Sequence, residues 1–430
     1  MKRGAIALAL AACLAVLLAT AAQAGERLTL RDGQRVLFLG DSITYAGMYA
    51  EYVEAYLLTR FPKRRFELLN LGLPSENVTG LSEPDHPYPR PNVHERLARA
   101  LAKVKPDVVV ACYGMNDGIY YPFSEERFSA YQAGIRRVVA ECRAAGAKVV
   151  LMTPPPFDAR PVRNRVLPAG APKYSWMTPY AEYDTVLARY AEWLLTLRGR
   201  GGLAVVDTRG AINRHLAALR ASDPGYQLAG DGVHMDAAGH WLIAAELLRA
   251  LGAPAEVDRA AIDARAAKAR RGRVSDLAAD RGGVRFTWLT RLPMPMDPRW
   301  DRRLGETERI GERFNRHRLV VTGLPQGRYE LFEGDRKFGE ATGAELAAGV
   351  NLLRYPDLST NRRSAELLKL VQERAKLVNG AWLTDVGHQR PDTPRGLPLE
   401  EARRRAEPLD AQIRRLAQPV TLALRVSPTR

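Results

Sequence analysis

The feature that most constrains the fold of this chain is an alternation of short apolar runs with longer helical patterns, which extends from Arg35 to about Gly252. Such an alternation is typical of a parallel β-sheet whose strands are joined by crossover helices. Each run is continuously apolar, as expected of a strand that is buried on both faces. Five strands are predicted, at Val36 to Leu39, Phe66 to Leu69, Val108 to Ala111, Lys148 to Met152 and Leu203 to Val206.

Helical spacing fills the intervals, near Tyr49 to Thr59, Val93 to Leu101, Ser124 to Ala144 and Tyr180 to Leu197, with a final helix after Asp236. The predicted fold class is therefore α/β, a three-layer sandwich with a five-stranded parallel sheet. Two long irregular stretches, Leu73 to Asn92 and Thr153 to Thr178, follow strand ends. Because ligands bind beyond the carboxyl ends of parallel strands, these stretches are expected to line a cleft.

A chain of 430 residues is longer than one ordinary domain. After Pro254 an Ala/Arg/Asp-rich stretch to Ala269 is predicted to be a helical bridge. Beyond it the pattern predicts a smaller mixed α+β region, with strands at Val284 to Leu289, Arg318 to Thr322, Arg328 to Phe332 and Val420 to Val426 and helices at Arg362 to Leu377 and Leu399 to Ala417. The predicted division is 1–24 as a signal peptide, 25–254 as the α/β domain and 255–430 as the accessory region.

The first 24 residues have the order of a secretory signal. Two basic residues precede an apolar run from Ala5 to Thr20, and a small-x-small site ends at Ala24. The run is shorter than the roughly 20 residues that a membrane-spanning helix needs. Cleavage after Ala24 and export are therefore predicted. The segment ending at Cys13 also resembles a lipoprotein signal, which leaves lipid attachment at Cys13 as a second interpretation.

Charge and cysteine content exclude several classes of protein. The net charge of +16 comes from arginines spread along the chain without a basic block, which is only weak support for nucleic-acid binding and leaves a preference for acidic surfaces or substrates open. Beyond the signal the cysteines are Cys112 and Cys142, too few for a disulfide framework, and both are predicted to be core thiols. His86 and His94 lack the helical pairing of a zinc motif. No metal and no organic cofactor are predicted.

Ser42 is the first candidate functional residue. The segment Gly40-Asp41-Ser42-Ile43-Thr44 follows the first predicted strand and precedes a helix, which leaves the hydroxyl free at a strand end. The N-terminus of a helix favours a developing negative charge. The same residues also fit an ordinary helix cap.

Asp231 and His234 are separated by three positions near the end of the α/β region. This spacing lets the carboxylate fold back on the imidazole, hold one tautomer and favour the imidazolium. Alone, such a pair is also common in surface turns.

Asn116 and Gly72 are candidate donors for an oxyanion. Asn116 follows the third predicted strand and offers an amide N–H, and Gly72 follows the second and offers an unobstructed backbone N–H. Either residue also suits a tight turn or a cap.

Together, these four segments resemble in order and placement the blocks of the SGNH (GDSL-type) hydrolase family. They stand after the first, second and third strands and before the last helix. The resemblance implies a flavodoxin-like fold in which Ser42 is the nucleophile and Asp231 and His234 complete a catalytic triad. It also implies an oxyanion hole formed by the backbone N–H of Ser42, by Gly72 and by Asn116.

The resemblance covers about Val36 to Gly252 and implies a carboxylic ester hydrolase that works through an acyl-enzyme. The predicted export and the family's range suggest O-acetyl esters of carbohydrates, with lipid or aryl esters as the alternative. A non-catalytic carbohydrate-binding protein on the same fold is a further alternative, although a binder gains nothing from a complete proton-transfer chain. The expected partner is a small-molecule or polysaccharide ester in a secreted or periplasmic location, with no nucleic acid and no stable membrane insertion.

Other polar and aromatic residues of these loops receive secondary interpretations. Asp117 and Asp207 end strands and are expected to be structural, with Asp117 the nearer to substrate. His240 is expected to begin the last helix. Tyr174 and Trp176 are expected to pack under their loop, with stacking on a sugar ring as the alternative.

Overall fold

The computed structural model describes residues 29–280, 282–391 and 393–429. The predicted signal peptide and Cys13 lie outside the described residues. In the α/β part the strands are β1 (Arg35–Gly40), β2 (Glu67–Asn70), β3 (Val108–Cys112), β4 (Lys148–Met152) and β5 (Ala204–Val206). The helices are α1 (Ser42–Ala46), α2 (Met48–Arg60), α3 (Leu97–Val104), α4 (Glu125–Ala144), α5 (Tyr183–Thr196), α6 (Thr208–Arg220) and α7 (Ala237–Ala250).

All five strands are parallel and stand in the order β2-β1-β3-β4-β5. The chain steps from β1 to one side and then returns to the other side with β3, so the strand order reverses at β1. Crevices for ligands form at such reversal points, outside the carboxyl ends of the strands. The predicted α/β fold class is confirmed. Helix α6, capped by the Asp207 side chain, was not among the predicted helices.

The C-terminal part carries two further sheets. Its strands are β6 (Glu256–Asp263), β7 (Lys268–Arg271), β8 (Arg273–Asp280), β9 (Gly283–Thr290), β10 (Arg316–Thr322), β11 (Arg328–Glu333), β12 (Arg336–Thr342), β13 (Val350–Asn351) and β14 (Val420–Pro428). Its helices are α8 (Arg302–Thr307), α9 (Ile310–Arg313), α10 (Gly343–Ala348), α11 (Ser359–Val386) and α12 (Leu399–Ala417). The sheet orders are β13-β10-β6-β7 and β12-β11-β14-β9-β8.

The predicted helical bridge between Pro254 and Ala269 is wrong, because this stretch forms β6 and the start of β7. Alanine favours a helix locally. Here Val257, Ala260 and Ile262 are buried, and β6 pairs in parallel with β10 along its whole length. Pairing with a distant strand therefore overrides the local preference.

One apolar core runs from the α/β part into the C-terminal part. Trp241 of α7 is 0% exposed, and its ring lies 5.0 Å from Trp300 and 5.4 Å from Phe314, measured between ring centroids. The Tyr52 hydroxyl of α2 donates a hydrogen bond of 2.7 Å to Asp297. Aromatic pairs of this kind add stability beyond the area that they bury. The two parts therefore share a core.

Cys112 and Cys142 are buried free thiols, as predicted. In the ranges described, no helix combines the length and the apolar character that crossing a membrane requires.

Candidate active site

The hydroxyl of Ser42 lies at the carboxyl end of β1, where the chain turns into α1. The side chain of Asp41 caps the helix by accepting a 2.9 Å hydrogen bond from the Ile43 N–H. This cap fixes the turn and makes Ser42 the first residue of the helix. Burial raises the pKa of Asp41 to about 6. Ser42 itself is only partly buried and follows the strand at which the strand order reverses.

His234 joins Ser42 to Asp231 through two short hydrogen bonds. Its Nε2 lies 2.8 Å from the Ser42 Oγ, and its Nδ1 lies 2.6 Å from the Asp231 Oδ2. The Asp231 Oδ1 accepts from the backbone N–H groups of Val233 at 2.9 Å and His234 at 2.8 Å. The structure thus brings Ser42 together with a pair of residues that lie about 190 positions further along the chain.

The turn between Asp231 and His234 depends on Gly232. Its φ is 82°, a left-handed backbone conformation that residues other than glycine rarely adopt. A Cβ at this position would also lie 2.6 Å from the Asp158 carbonyl oxygen. Glycine is therefore the residue that lets the carboxylate return to the imidazole over three positions.

The two members of this pair shift each other's pKa. The hydrogen bond that the His234 Nδ1–H donates to the Asp231 carboxylate raises the pKa of His234, against the opposing effect of burial. Burial would raise the pKa of Asp231, but the hydrogen bonds from the side chain and backbone of His234 outweigh it and leave that pKa well below its usual range. The side chain of His234 is 49% exposed and that of Asp231 is 47% exposed, so water screens part of their attraction. The pair still favours imidazolium beside carboxylate, the form that a general base reaches after taking a proton.

Asn116 is buried beyond the end of β3 and is held in one orientation. Its Nδ2 donates to the Glu76 carbonyl oxygen at 3.1 Å, and its Oδ1 accepts from the Tyr120 hydroxyl at 3.2 Å. An amide nitrogen carries two hydrogens. Because the Asn116 amide oxygen and one of its N–H groups are both hydrogen-bonded, the second N–H of the amide points in a fixed direction.

Gly72 packs so closely against α1 that this position has no room for a Cβ. A Cβ there would lie 2.3 Å from the Tyr45 backbone nitrogen and 2.5 Å from the Thr44 carbonyl carbon. Its N–H donates to the Asn70 Oδ1 at 2.8 Å, and the Asn70 Nδ2 donates to the Thr44 carbonyl at 2.5 Å. The backbone donor that the sequence suggested for an oxyanion is thus bonded to Asn70 in this structure.

A buried network behind Asn116 was not expected from the sequence. Arg96 donates to both carboxylate oxygens of Glu76 at 2.6 and 2.7 Å, and Tyr113 donates to one of them at 2.7 Å. The ring of His388, which follows α11, lies 3.0 Å from the same carboxylate. Burial opposes ionisation of Glu76, but Arg96 lowers its pKa overall. The C-terminal part therefore helps to fix the loop whose carbonyl holds Asn116.

The secondary candidates are mostly structural. Asp117 is buried and accepts from the backbone N–H groups of Val78 and Thr79, and burial raises its pKa to about 7. His240 is buried in α7 and stacks on Tyr49, and burial lowers its pKa to about 3.

The two aromatic residues of the second long loop have different surroundings. Tyr174 packs under its loop, and its hydroxyl donates to the Pro168 carbonyl at 2.7 Å. Trp176 is 46% exposed. Tyr174 therefore packs under the loop as expected, whereas Trp176 is more exposed than that expectation.

Residues 38–242 match the model of the GDSL-like lipase/acylhydrolase family. The matched region includes all the candidate residues described above. The α/β part of the chain therefore contains a domain of this family. Its members are carboxylic ester hydrolases, and the chain is one of them.

Two relatives extend the comparison. An acetylxylan esterase from Geobacillus stearothermophilus is 26% identical over 245 residues, which are 51% of this chain and 95% of that protein. The solved structure of a gut microbial diltiazem-metabolizing enzyme superposes with a TM-score of 0.76 at 20% identity, over 94% of this chain and all of that chain. The second similarity shows a shared fold that includes the C-terminal part.

Proposed function

We propose that this protein is an exported serine esterase that removes acetyl groups from carbohydrates through an acyl-enzyme. The observation that carries the proposal is the unbroken hydrogen-bonded path from the Asp231 carboxylate through the His234 ring to the Ser42 Oγ. Such a path lets a serine hydroxyl lose its proton as it attacks.

In the first half of the proposed reaction, the Ser42 Oγ forms a bond to the ester carbonyl carbon and its proton passes to His234 Nε2. The carbonyl oxygen takes the electron pair of its π bond and becomes an oxyanion. The tetrahedral intermediate then expels the sugar oxygen, which takes the proton from His234. Asp231 keeps its charge throughout and favours the imidazolium. The product is acetyl-Ser42 and a free hydroxyl on the sugar.

In the second half, water attacks acetyl-Ser42 while His234 accepts a proton from it. Collapse of the second tetrahedral intermediate returns the proton to Ser42 and releases acetic acid, which loses its own proton to water and leaves as acetate. The sequence of steps uses side chains of this chain and water.

The proposed oxyanion donors are the Ser42 backbone N–H and the second N–H of Asn116. A preorganised donor beside a developing negative charge accelerates such a step because it does not have to reorient. Gly72 can contribute its N–H only if that group leaves Asn70, to which it donates in this structure. The first two donors therefore form the core of the proposed oxyanion hole.

Similarity to an acetylxylan esterase over almost the whole of that protein supports a carbohydrate O-acetyl ester as substrate. Export rests on the order of basic, apolar and small residues in the first 24 positions. The carbohydrate substrate and the export are both inferred from sequence, and a comparison of ester substrates tests the first.

The experiment compares hydrolysis of acetylated xylo-oligosaccharides, 4-nitrophenyl acetate and 4-nitrophenyl palmitate by the wild type and by Ser42→Ala. Ser222→Ala, which changes a surface serine hydrogen-bonded to its own helix, is the matched control. We expect the oligosaccharide to be the best substrate, Ser42→Ala to lose about a millionfold in turnover and the control to keep full activity. A preference for the palmitate would make the protein a lipid esterase. Wild-type protein inactive on all three esters would favour a binding protein.

A further inference from the structure

A pocket lies between the α/β part and helix α11. It encloses about 430 Å³, within the usual range for small-molecule sites. Tyr45, Glu51 and Arg299 line it on one side, and Gln372 and Lys376 of α11 line it on the other. Tyr45 follows Ser42 by three residues on α1, and residues at that spacing lie on one face of a helix. Tyr45, which lines the pocket, therefore lies within about one helical turn of the proposed nucleophile.

The side chains around this pocket suit a ring that carries many hydroxyl groups. Glu51 is hydrogen-bonded to Gln372, and burial raises its pKa to about 7, so near neutral pH the carboxyl group can both donate and accept. Lys376 and Arg299 add cationic donors. The Tyr45 ring is 44% exposed and offers a flat apolar surface. A lipid chain would strip water from these polar groups without replacing their hydrogen bonds, at a cost in free energy.

Helix α11 is fixed in place against the catalytic half. The backbone N–H of Asn70, the last residue of β2, donates to the Asn379 Oδ1 at 3.2 Å. Arg374 forms a buried ion pair with Glu54 of α2. The wall that α11 contributes is therefore held by contacts to β2 and α2, and its geometry relative to α1 is set by the folded protein.

We propose that this pocket binds the saccharide ring that bears the acetyl group, with α11 supplying the residues that select it. This inference rests on the proposed function and assigns a substrate-binding role to the C-terminal part. The family match ends at residue 242. Selection by α11 is thus a property of this chain beyond the matched region.

The test is the double variant Gln372→Ala/Lys376→Ala, with Lys369→Ala as the matched control. Lys369 is an exposed lysine of the same helix, outside the pocket lining. We expect kcat/KM on acetylated xylo-oligosaccharides to fall about tenfold, mainly through KM, since two hydrogen bonds are lost. Hydrolysis of 4-nitrophenyl acetate, which lacks the sugar, should change less than about twofold. Unacetylated xylotriose should inhibit 4-nitrophenyl acetate hydrolysis by the wild type, with a Ki about tenfold higher in the double variant.

Four outcomes would overturn the inference or its basis. An equal fall on both esters would show that α11 acts by positioning Ser42 and does not select a sugar. No change on either ester, or inhibition by xylotriose that is the same in both proteins, would show that the sugar binds elsewhere while the esterase assignment stands. Wild-type protein that hydrolyses neither ester would remove the proposed function, and this inference with it.

Discussion

The hydrogen bond between Asp231 and His234 determines how the activity should depend on pH. His234 acts as a base only when neutral, and Asp231 raises its pKa above the ordinary value of about 6.5. Activity is therefore lost as the pH falls through this raised pKa and is present above it. We expect kcat/KM on 4-nitrophenyl acetate to rise with a slope of one proton and to level off in the mildly alkaline range.

The variant Asp231→Asn tests the cause of that shift. Removing the carboxylate should lower the apparent pKa of His234 toward its ordinary value and depress the plateau by up to about 10⁴-fold, because the amide favours the wrong tautomer. Parallel pH profiles of both proteins provide the measurement. A flat wild-type profile, or superimposable profiles, would leave Ser42 without a base.

A second residue-level prediction concerns Asn116. Asn116→Ala should reduce kcat by roughly a hundredfold to a thousandfold, since removal of one oxyanion donor has that effect. Steady-state kinetics separates kcat from KM. Should the change be confined to KM, Asn116 binds the ground-state substrate and is not an oxyanion donor.

Individual residues differ in how far the sequence could reveal them. The spacing of Asp231 and His234 predicts that they pair, the family resemblance implies that Ser42 joins them, and the structure brings the three together. Tyr120, Glu76 and His388 orient Asn116 through contacts across the fold. No local pattern marks such contacts, because they depend on how distant segments pack.

The position of α1 depends on how closely the loop after β2 packs against it. Gly72→Ala would put a methyl group 2.3 Å from the Tyr45 nitrogen, so the helix that begins with Ser42 has to shift. We expect a loss of about 1 to 3 kcal/mol in the free energy of unfolding together with reduced kcat. Gly305→Ala in α8 is the control, because its Cβ would approach only the Met296 Cε, at 3.9 Å. Denaturant unfolding of both variants provides the comparison, and equal stability would show that α1 yields to the methyl group without strain.

Elements with a strong hydrophobic pattern were predictable and those without it were not. The five strands of the parallel sheet are continuously apolar, because helices cover both faces. β6 is rich in alanine and charged residues, and β7 consists of Lys268, Ala269, Arg270 and Arg271. Their strand character comes from pairing with distant partners, which a local pattern does not record.

The shared core makes the two parts of the molecule dependent on each other. A chain that ends at Pro254 would expose Trp241 and Tyr52. In the full protein the Trp241 ring packs against Trp300, and the Tyr52 hydroxyl donates to Asp297 and accepts from the Trp300 indole N–H. We expect it to show no cooperative thermal transition by circular dichroism, whereas a chain starting at Gly25 and ending at Arg430 should show one. A cooperative transition in the shorter chain would establish an independent α/β domain.

Covalent labelling of the intact protein with a fluorophosphonate tests whether Ser42 is an activated nucleophile. The probe phosphonylates a serine only when a neighbouring base activates it. We expect one adduct per chain, mapped by mass spectrometry to Ser42, with loss of esterase activity in proportion to labelling. His234→Ala should label far more slowly, and Ser42→Ala should not label. An adduct on a different serine, or full activity in a protein labelled at Ser42, would show that Ser42 is not the catalytic nucleophile.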